Sequence, residues 1–431
     1  MNPHQTEQLR RFRWIIFLIL AFAYLLVYFH RLSLSVVADN LTREFNTTAS
    51  TLGLLGSIYF YCYAFMQLPA GLLSDSIGPR KTVTFFLLIA AVGSILFGLA
   101  PNIETAFIGR ILVGFGVSMV FIPTMKILSQ WFRPHEFAFM AGILNAVGGI
   151  GVFAATGLLA FTTITFGWRL SFELIGGCTF IISVLCWLIV RDRPQDKGWV
   201  SLNVTDNRKT MDTPVGNSQI SLSEGVKRVL SEKHFWPVAA WFFFDCGIFF
   251  GFGALWGGPF LMHVYNLSHA ETGTVLSMIA LGMIIGSPII GLISDKLLKS
   301  RKIPLMICSL VLTIDIFLLY LDPTGFTIFT LCIIFFIFSI SSSAIVVIGF
   351  TTVKELFPVQ IAGTSVGTVN LFPFLGGALF MPLLGKILDV YPKTESGSYA
   401  VEGYATLLLI LLFAALAAFI STLFMKETFP E

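Results

Sequence analysis

Residues 71–81 read GLLSDSIGPRK, and residues 291–302 read GLISDKLLKSRK. Each polar stretch follows an apolar segment that is long enough to cross a bilayer as a helix. The two stretches begin 220 residues apart, with the glycine, serine and aspartate of the first largely reproduced in the second. This spacing predicts that the chain contains two related halves.

A second pair of repeats supports the same interpretation. GILN at 142–145 corresponds to GTVN at 367–370, and the aromatic exit QWF at 130–132 corresponds to ELF at 355–357. Both pairs are offset by 225 residues. We therefore expect a duplicated unit of six apolar segments.

Composition identifies the solvent around most of the chain. The 431 residues are 56% hydrophobic and only 12% charged, with a mean hydropathy of +0.84. A soluble domain carries about 25% charged residues, so too little polar surface remains to cover a water-soluble globule. Soluble enzymes, disordered proteins and disulfide-stapled secreted domains are excluded. The net charge of +3 is too small and dispersed to indicate a nucleic-acid partner.

The apolar segments number twelve, which predicts an all-α membrane protein with twelve transmembrane helices in two pseudo-symmetric six-helix bundles. They centre near 14–37, 50–73, 82–100, 105–130, 137–161, 170–190, 235–262, 272–293, 303–321, 326–350, 362–385 and 402–424. The one long polar stretch, 191–234, predicts a cytoplasmic linker between an N-terminal bundle, 1–190, and a C-terminal bundle, 235–431. All six cysteines fall in apolar segments, so we expect no disulfide framework and no metal site.

Lysine and arginine fix the predicted orientation. If the N-terminus is cytoplasmic, twenty of the 27 cations lie on the cytoplasmic side and four on the other, with three inside spans. Cytoplasmic loops carry the excess of positive charge in membrane proteins. We therefore expect both termini in the cytoplasm and the protein in the cell inner membrane.

At this point the chain resembles the major facilitator superfamily of secondary transporters. The resemblance rests on Gly71, Asp75, Gly78, Arg80 and Lys81, on the second copy with Asp295 and Arg301, and on Arg110-x-x-x-Gly114-x-Gly116. It implies two bundles that rock about a central site at the repeat interface. The segment YFHRLSLSV, the exit SQWF and the glycine-rich fifth span resemble the sugar-phosphate and anion:cation symporter branch.

The resemblance also assigns conformational roles. The loop residues Gly71, Asp75, Gly78, Arg80 and Lys81 would latch the two bundles in one state, as would Asp295 and Arg301 in the second half. Arg110 would bond neighbouring helix backbone and support coupling. Ordinary positive-inside charge around a turn at Gly78 is the alternative for the first loop.

Two departures narrow the function that the resemblance implies. Sugar-phosphate exchangers carry a second basic residue in the seventh span, whereas residues 235–262 contain no lysine or arginine and instead contain Asp245. Drug/proton antiporters have Gly-Pro in the fifth span, and GILNAVGGIG contains no proline. Phosphate exchange and drug export are both disfavoured.

Charges inside the spans are candidate binding groups because each costs at least about 2.5–3.5 kcal/mol to insert. Tyr24, Tyr28 and Arg31 share one helix face, and a guanidinium flanked by phenols suits a carboxylate, sulfonate or phosphate. The alternative for Arg31 is snorkelling to the interface. His30 lies off this face and is either a packed histidine or a proton relay.

Lys126, in the fourth span, is a second candidate for anion binding. Its four-carbon stem also suits snorkelling toward the end of the span. Asn145 and Asn370 occupy matching positions and suit either a polar substrate or bonding between helices.

Asp245 is the candidate for proton coupling, on a predicted helix face with the candidate binding residue Trp256. Burial would raise its pKa and a nearby cation would lower it. It could equally pair with Arg31 or Lys126, or receive the amine of a zwitterion.

Together these observations predict proton-coupled import of a small organic anion, such as a carboxylate or sugar acid, by alternating access. The alternatives are an amino-acid or other zwitterion carrier and a substrate sensor that keeps the transporter fold without turnover. The chain has no GxxxxGK[ST] loop, so we expect a gradient to supply the energy, with no cofactor and no enzyme activity. The expected partners are a small-molecule substrate and the lipid bilayer, and the expected state is a monomer.

Overall fold

The computed structural model describes residues 3–199, 222–342, 346–394 and 397–429. All regular secondary structure in these ranges is helical. Helices satisfy their own backbone hydrogen bonds, which lipid cannot do for them. The prediction of an all-helical membrane protein is confirmed.

The first half of the chain contains eight α-helices and a short 3₁₀ turn at Pro194–Lys197. The helices are α1 (Pro3–Leu32), α2 (Leu34–Glu44), α3 (Ala49–Ser76), α4 (Pro79–Gly98), α5 (Ile103–Ser118), α6 (Phe121–Trp131), α7 (Pro134–Phe153) and α8 (Leu159–Ile189).

The described part of the second half contains ten α-helices. They are α9 (Leu222–Ser231), α10 (Phe235–Ile248), α11 (Gly257–Val264), α12 (His269–Leu292), α13 (Lys302–Leu321), α14 (Ile328–Ser341), α15 (Val346–Leu356), α16 (Val359–Val369), α17 (Leu371–Val390) and α18 (Val401–Leu423).

Several of these helices join into longer membrane-crossing units. The described residues contain 11 helical stretches that are long and apolar enough to span a membrane. One of them, Phe139–Ile189, has 51 residues and would extend about 75 Å, more than twice the hydrocarbon thickness of about 30 Å. Gly167 interrupts it with φ +79° and ψ 159°, a conformation that favours glycine. Counting this stretch as two gives the twelve predicted spans.

Three segments have π-helical geometry, in which each turn holds more residues than in an α-helix. They are Ala154–Leu158, Phe249–Trp256 and Ile293–Leu298. The second segment lies between α10 and α11, so residues after Ile248 are rotated relative to an ideal α-helix. The face that Asp245 and Trp256 are expected to share was predicted from α-helical periodicity, which this segment does not keep.

Small residues allow the closest helix contacts. A Cβ at Gly93 of α4 would lie 2.7 Å from the carbonyl oxygen of Gly109 in α5, and a Cβ at Gly116 would lie 2.5 Å from the backbone nitrogen of Ala90. Glycine at these positions lets the two backbones meet directly, which is a common way to pack helices in lipid.

Contacts group the chain into two units. Unit 1 comprises Met1–Tyr28, Phe65–Gly151 and Phe172–Gln219, and unit 2 comprises Phe29–Ala64, Val152–Ser171 and Ile220–Glu431. Unit 2 thus contains α2 and the first part of α3 together with the helices of the second half. The division of the chain at a linker over 191–234 stays a prediction, and residues 200–221 of that linker lie outside the described residues.

Candidate functional site

The two tyrosines predicted on the face of α1 pack within unit 1. The rings of Tyr24 and Tyr28 meet edge to face with centroids 5.3 Å apart, and Phe121 lies 5.4 Å from Tyr24. The glycine-rich fifth span explains this packing, because a Cβ at Gly148 would lie 2.7 Å from the Tyr28 ring. A Cβ at Gly151 would lie 2.3 Å from the carbonyl oxygen of Leu25. These glycines bring α7 against the tyrosine face of α1.

Arg31 lies in unit 2 and is almost completely buried, with 7% of its surface exposed. Its guanidinium carbon is 5.1 Å from the ring centroid of Tyr63, 5.3 Å from that of Phe374 and 5.7 Å from that of Phe250. A cation that is buried against an aromatic face gains about 2 kcal/mol from the cation–π attraction. Arg31 is therefore held deep in the protein by rings from three other segments.

These rings also contact one another. Tyr63 and Phe374 have centroids 4.3 Å apart, and Phe60 and Phe250 have centroids 4.7 Å apart. We call Phe60, Tyr63, Phe250 and Phe374 the ring cluster. Helical periodicity predicted that tyrosines of α1 lie beside Arg31. It could not predict the ring cluster, because the members of that cluster come from α3, the π-helical segment and α17. Only the folded chain brings them to one arginine.

Asp245 of α10 is fully buried in the same unit. Among the described residues, no hydrogen bond to either carboxylate oxygen meets standard distance and angle criteria. The Ser342 hydroxyl is a polar group near this carboxylate, and the Cys246 thiol lies within electrostatic range of both Asp245 and Arg31. Both predicted groups, Arg31 and Asp245, are therefore buried within unit 2.

Trp256 takes part in helix packing. Its ring is fully buried, and its indole N–H donates to the carbonyl oxygen of Met381 at 2.9 Å. Asn370 is half-buried at the junction between α16 and α17, whereas the matching Asn145 is half-buried within continuous α7. The two asparagines of the sequence repeat therefore occupy different backbone contexts.

The remaining charged candidates within the spans are engaged locally. The Lys126 ammonium donates to the carbonyl oxygen of Ser74 at 3.0 Å, in the last turn of α3. Arg110 is 1% exposed, with its guanidinium carbon 6.0 Å from the ring centroid of Phe97. His30 is fully buried, with its ring edge-on to Phe29 at 5.6 Å.

The first polar loop is built around a glycine turn. Gly78 has φ +99°, and Pro79 follows as the first residue of α4. The backbone N–H of Arg80 donates to Asp192 at 2.6 Å, and the Arg80 guanidinium donates to the carbonyl oxygen of Trp187 at 3.1 Å from Nε. Asp192 was not predicted, because it is 112 positions from Arg80 in the sequence and reaches the N-terminus of α4 only in the folded chain, where an acid is favourable.

The structure gives fewer contacts for the other predicted residues of this loop. Lys81 is exposed. Gly71 and Asp75 lie within α3, and the surroundings of both residues are outside what the structure describes. The predicted latch role of Asp75 stays a prediction.

The second polar loop forms an ion-pair network that joins the two residues predicted for it. The Arg301 guanidinium contacts the Asp295 carboxylate and also bonds Glu355 through two nitrogens, each at 3.2 Å. Burial lowers the pKa of Arg301, but the bonds to Glu355 and Asp295 outweigh it and raise the pKa above its usual value. Glu355, from the ELF exit at 355–357, is a partner that sequence analysis did not assign.

A third polar cluster was not predicted. It consists of Asp39 in α2, His263 in α11, Tyr399 and Tyr404, and we call it the His263 cluster. His263 is 3.2 Å from Asp39 through Nε2 and 3.0 Å from the Tyr404 hydroxyl through Nδ1. Nearby, the Asp389 carboxylate accepts backbone N–H bonds from Ala49 and Ser50 at 2.8 and 2.7 Å. These bonds hold α2 and the start of α3 to α11 and α17.

The described residues provide no cluster of three or more His, Cys, Asp or Glu side chains that could hold a metal ion. The arrangement instead offers a buried cation and a buried acid in a helical membrane protein. Such groups inside a membrane are expensive and usually mark the pathway of a substrate or a proton.

Comparisons with known proteins agree with this picture. The chain is 22% identical over 408 residues to the "Probable galactarate/D-glucarate transporter GarP" of Escherichia coli (strain K12), covering 88% of each chain. It is 25% identical over 429 residues to the "Membrane sensor protein UhpC" of Salmonella typhimurium, covering 95% of this chain and 93% of that one. These relatives match the sugar-phosphate and anion:cation symporter branch that the motifs resemble.

A solved structure has the same fold. A bacterial homologue of the human lysosomal transporter Spinster, in an inward-facing and unoccupied conformation, aligns with a TM-score of 0.75 at 17% identity, over 99% of this chain and 98% of that one. The family model described as Major Facilitator Superfamily matches residues 20–381. The chain therefore belongs to the Major Facilitator Superfamily, whose members are multi-pass membrane transporters.

Proposed function

We propose that this protein imports a small organic anion together with a proton across the bacterial inner membrane, by alternating access. The observation that carries the proposal is the burial of both Arg31 and Asp245 in unit 2. The guanidinium offers planar donors for a carboxylate, and the carboxylate of Asp245 can take up and release a proton. The similarity to a sugar-acid transporter supports an anionic substrate.

The His263 cluster supports the alternating-access part of the proposal. It joins helices from the two sequence halves within unit 2, together with the bonds from Asp389 to the start of α3. With both termini in the cytoplasm, as the charge distribution predicts, these contacts lie at the outer end of the protein. They must break whenever that end opens to admit a substrate.

The other predicted residues keep narrower roles in this proposal. Tyr24, Tyr28, Lys126 and the two asparagines remain candidate contacts of the substrate, and His30 remains a candidate proton relay. The packing of Trp256 against Met381 supports a role in shaping the wall near Arg31. The loop residues are proposed to act in conformational change. The protein is proposed to act as a monomer without a cofactor or enzyme activity.

The test is uptake of labelled sugar acids into proteoliposomes that contain the purified protein, with and without an inward proton gradient. We expect gradient-dependent accumulation in the wild type. Arg31→Gln should lose binding and uptake, while Asp245→Asn should bind but not accumulate the anion. Lys386→Gln is the matched control, because Lys386 is an exposed lysine on α17 with no proposed role in binding the anion or the proton. Unchanged accumulation by Arg31→Gln would overturn the proposal.

A second candidate function is substrate sensing without turnover, which the similarity to UhpC favours. In the same vesicles a sensor would bind the anion tightly but show no accumulation in the wild type. The zwitterion alternative gives another pattern. Asp245→Asn would then lose binding of amine-bearing solutes alone.

A further inference from the structure

The residues around Arg31 limit the negative charge that a bound ligand can carry. Arg31 lies over the faces of Tyr63, Phe250 and Phe374, at 5.1–5.7 Å from their centroids. The face of an aromatic ring carries a negative partial charge, which attracts a cation and repels an anion. An anion that pairs with Arg31 therefore meets one guanidinium and, beside it, ring faces that disfavour further negative charge.

Additional cations are scarce in this unit. Among the described lysines and arginines of unit 2, Arg31 is the one whose residue is buried; the others are half-buried or exposed near helix ends and in connections. Arg301 and Arg169, which are half-buried, already contact carboxylates. In unit 1, the Lys126 ammonium already donates to a backbone carbonyl. Within the described part of unit 2, no second buried cation is in place to match a second carboxylate.

The buried acid Asp245 makes a second negative charge on a ligand still less favourable. Asp245 is fully buried in the same unit as Arg31, and the thiol of its chain neighbour Cys246 lies within electrostatic range of Arg31. A second carboxylate on a ligand bound to Arg31 would have to lose its water among aromatic rings, or approach Asp245. Either placement leaves a buried negative charge without a counter-charge, which is costly in a low-dielectric interior.

We infer that the Arg31 site selects ligands with a single negative charge over ligands of the same size with two. The inference rests on the proposed function and specifies its substrate class: an organic acid with one carboxylate on an otherwise neutral carbon chain. Among sugar acids, this favours aldonates and uronates over aldarates.

Three six-carbon acids provide a matched set of probes. D-Gluconate and D-glucuronate each carry one carboxylate, and D-glucarate carries two on a chain of the same length. Lactate and malate repeat the comparison with smaller molecules. Binding is measured with the purified wild-type protein by calorimetry at pH 7, where all these carboxylates are ionised. Binding does not depend on turnover, so a carrier and a sensor give the same readout.

We expect each monoanion to bind at least tenfold more tightly than its dianion partner. Equal or tighter binding of D-glucarate and malate would overturn the inference while leaving an anion carrier intact. If none of the five acids binds, the proposed substrate class of organic anions fails, and the inference fails with it. The two failures are therefore distinguishable.

A pair of ring variants tests the stated cause. Phe374→Leu removes one ring face beside Arg31 but keeps an apolar side chain, and should reduce the preference for monoanions severalfold. Tyr63→Phe keeps the ring and should preserve the preference. A charge preference that is the same in wild type and Phe374→Leu would show that the ring cluster does not set it. Thermal unfolding of both variants checks that they are folded.

Discussion

The Nε2 atom of His263 lies 3.2 Å from the Asp39 carboxylate and joins α11 to α2. On its other side, the imidazole Nδ1 accepts the backbone N–H of Tyr399 at 3.4 Å. The imidazole therefore contacts Asp39 through one ring nitrogen and Tyr399 through the other. A pair of residues 224 positions apart in the sequence thus fixes the position of α2.

The charge of Asp39 is predicted to stabilise the protein at neutral pH. Burial raises the pKa of Asp39, but the hydrogen bond and charge of His263 and the charges of Arg43 and His269 outweigh it, so its pKa is below the usual 3.8. A carboxylate with a lowered pKa contributes stability above its unfolded pKa and loses it as the pH falls through the folded pKa. At pH 7, Asp39→Asn should cost about 1.5–3 kcal/mol in the free energy of unfolding.

Unfolding of wild type and variant in detergent, from pH 7 to pH 3, checks this prediction. The difference between the two proteins should shrink once the pH falls below 3.8. A difference of the same size at pH 7 and pH 3 would argue against a charge effect. Arg43→Gln is the control, because Arg43 also contacts Asp39 but is 68% exposed and should contribute less than about 1 kcal/mol.

Glu427, which bonds the second polar loop at Ser300 and Arg301, is predicted to make a second pH-dependent contribution to the free energy of unfolding. Burial raises its pKa, but bonds from the Ser300 hydroxyl and from the backbone N–H groups of Arg301, Phe429 and Lys302 lower the pKa from 4.5 to about 2. Glu427 caps the start of α13 in this way. Because the residue is exposed, we expect Glu427→Gln to cost only about 1 kcal/mol at neutral pH.

The contribution of Glu427 should disappear between pH 4.5 and pH 2, as the folded carboxylate takes up its proton. Unfolding curves of wild type and Glu427→Gln across this window provide the measurement. The neighbouring exposed Lys426 offers a control, and Lys426→Gln should show no such window. Equal stability of wild type and Glu427→Gln at pH 7 would mean that the charge of Glu427 makes no net contribution to the free energy of unfolding.

The sequence predicted the helical fold because its signals are local or repeated. Apolar length identifies the spans, and Gly78 with Pro79 identifies the turn before α4. Asp295 and Arg301 are six positions apart, and the structure joins them. These features depend on neighbouring residues and on the duplication.

The ring cluster and the His263 cluster could not be predicted in the same way. Phe374 reaches Arg31 from 343 positions away, and one phenylalanine among 44 carries no mark of that contact. The π-helical segment Phe249–Trp256 also breaks the α-helical periodicity, because each of its turns holds more residues than an α-helical turn. Tertiary contacts and irregular turns, rather than residue type, decide these parts of the site.

The close approach of α7 to α1 is predicted to depend on Gly151. A Cβ there would lie 2.3 Å from the Leu25 carbonyl oxygen, which is too close for backbone to remain in place. Gly151→Ala should therefore cost about 1–3 kcal/mol in the free energy of unfolding. Thermal unfolding in detergent measures the loss.

Gly142→Ala is the matched control on the same helix. Nothing lies within 4 Å of a Cβ at Gly142, and alanine favours a helix over glycine by about 1 kcal/mol. This variant should be as stable as the wild type or more stable. If both variants lose the same stability, crowding against α1 is not the reason that Gly151 is glycine.

The network around Arg301 is predicted to act as a coupled unit. Arg301→Gln would leave Glu355, which is 21% exposed on its side chain, without the two bonds it receives from Arg301. We expect a loss of about 1–2 kcal/mol, because most of the cost comes from a partly buried carboxylate that has lost its partner. Arg301→Lys should recover only part of it, since an ammonium cannot bond Glu355 and Asp295 with the planar geometry of a guanidinium.

A double-mutant cycle separates the network from the individual residues. Arg301→Gln combined with Glu355→Gln should cost less than the sum of the two single variants, because the double variant leaves no unpaired charge at Glu355. Additive losses would contradict the coupling. If the network also acts in conformational change, as proposed, the double variant should regain stability but not the rate of uptake in proteoliposomes. Recovery of both would show that the pair only stabilises the fold, since a purely structural role predicts that transport returns with stability.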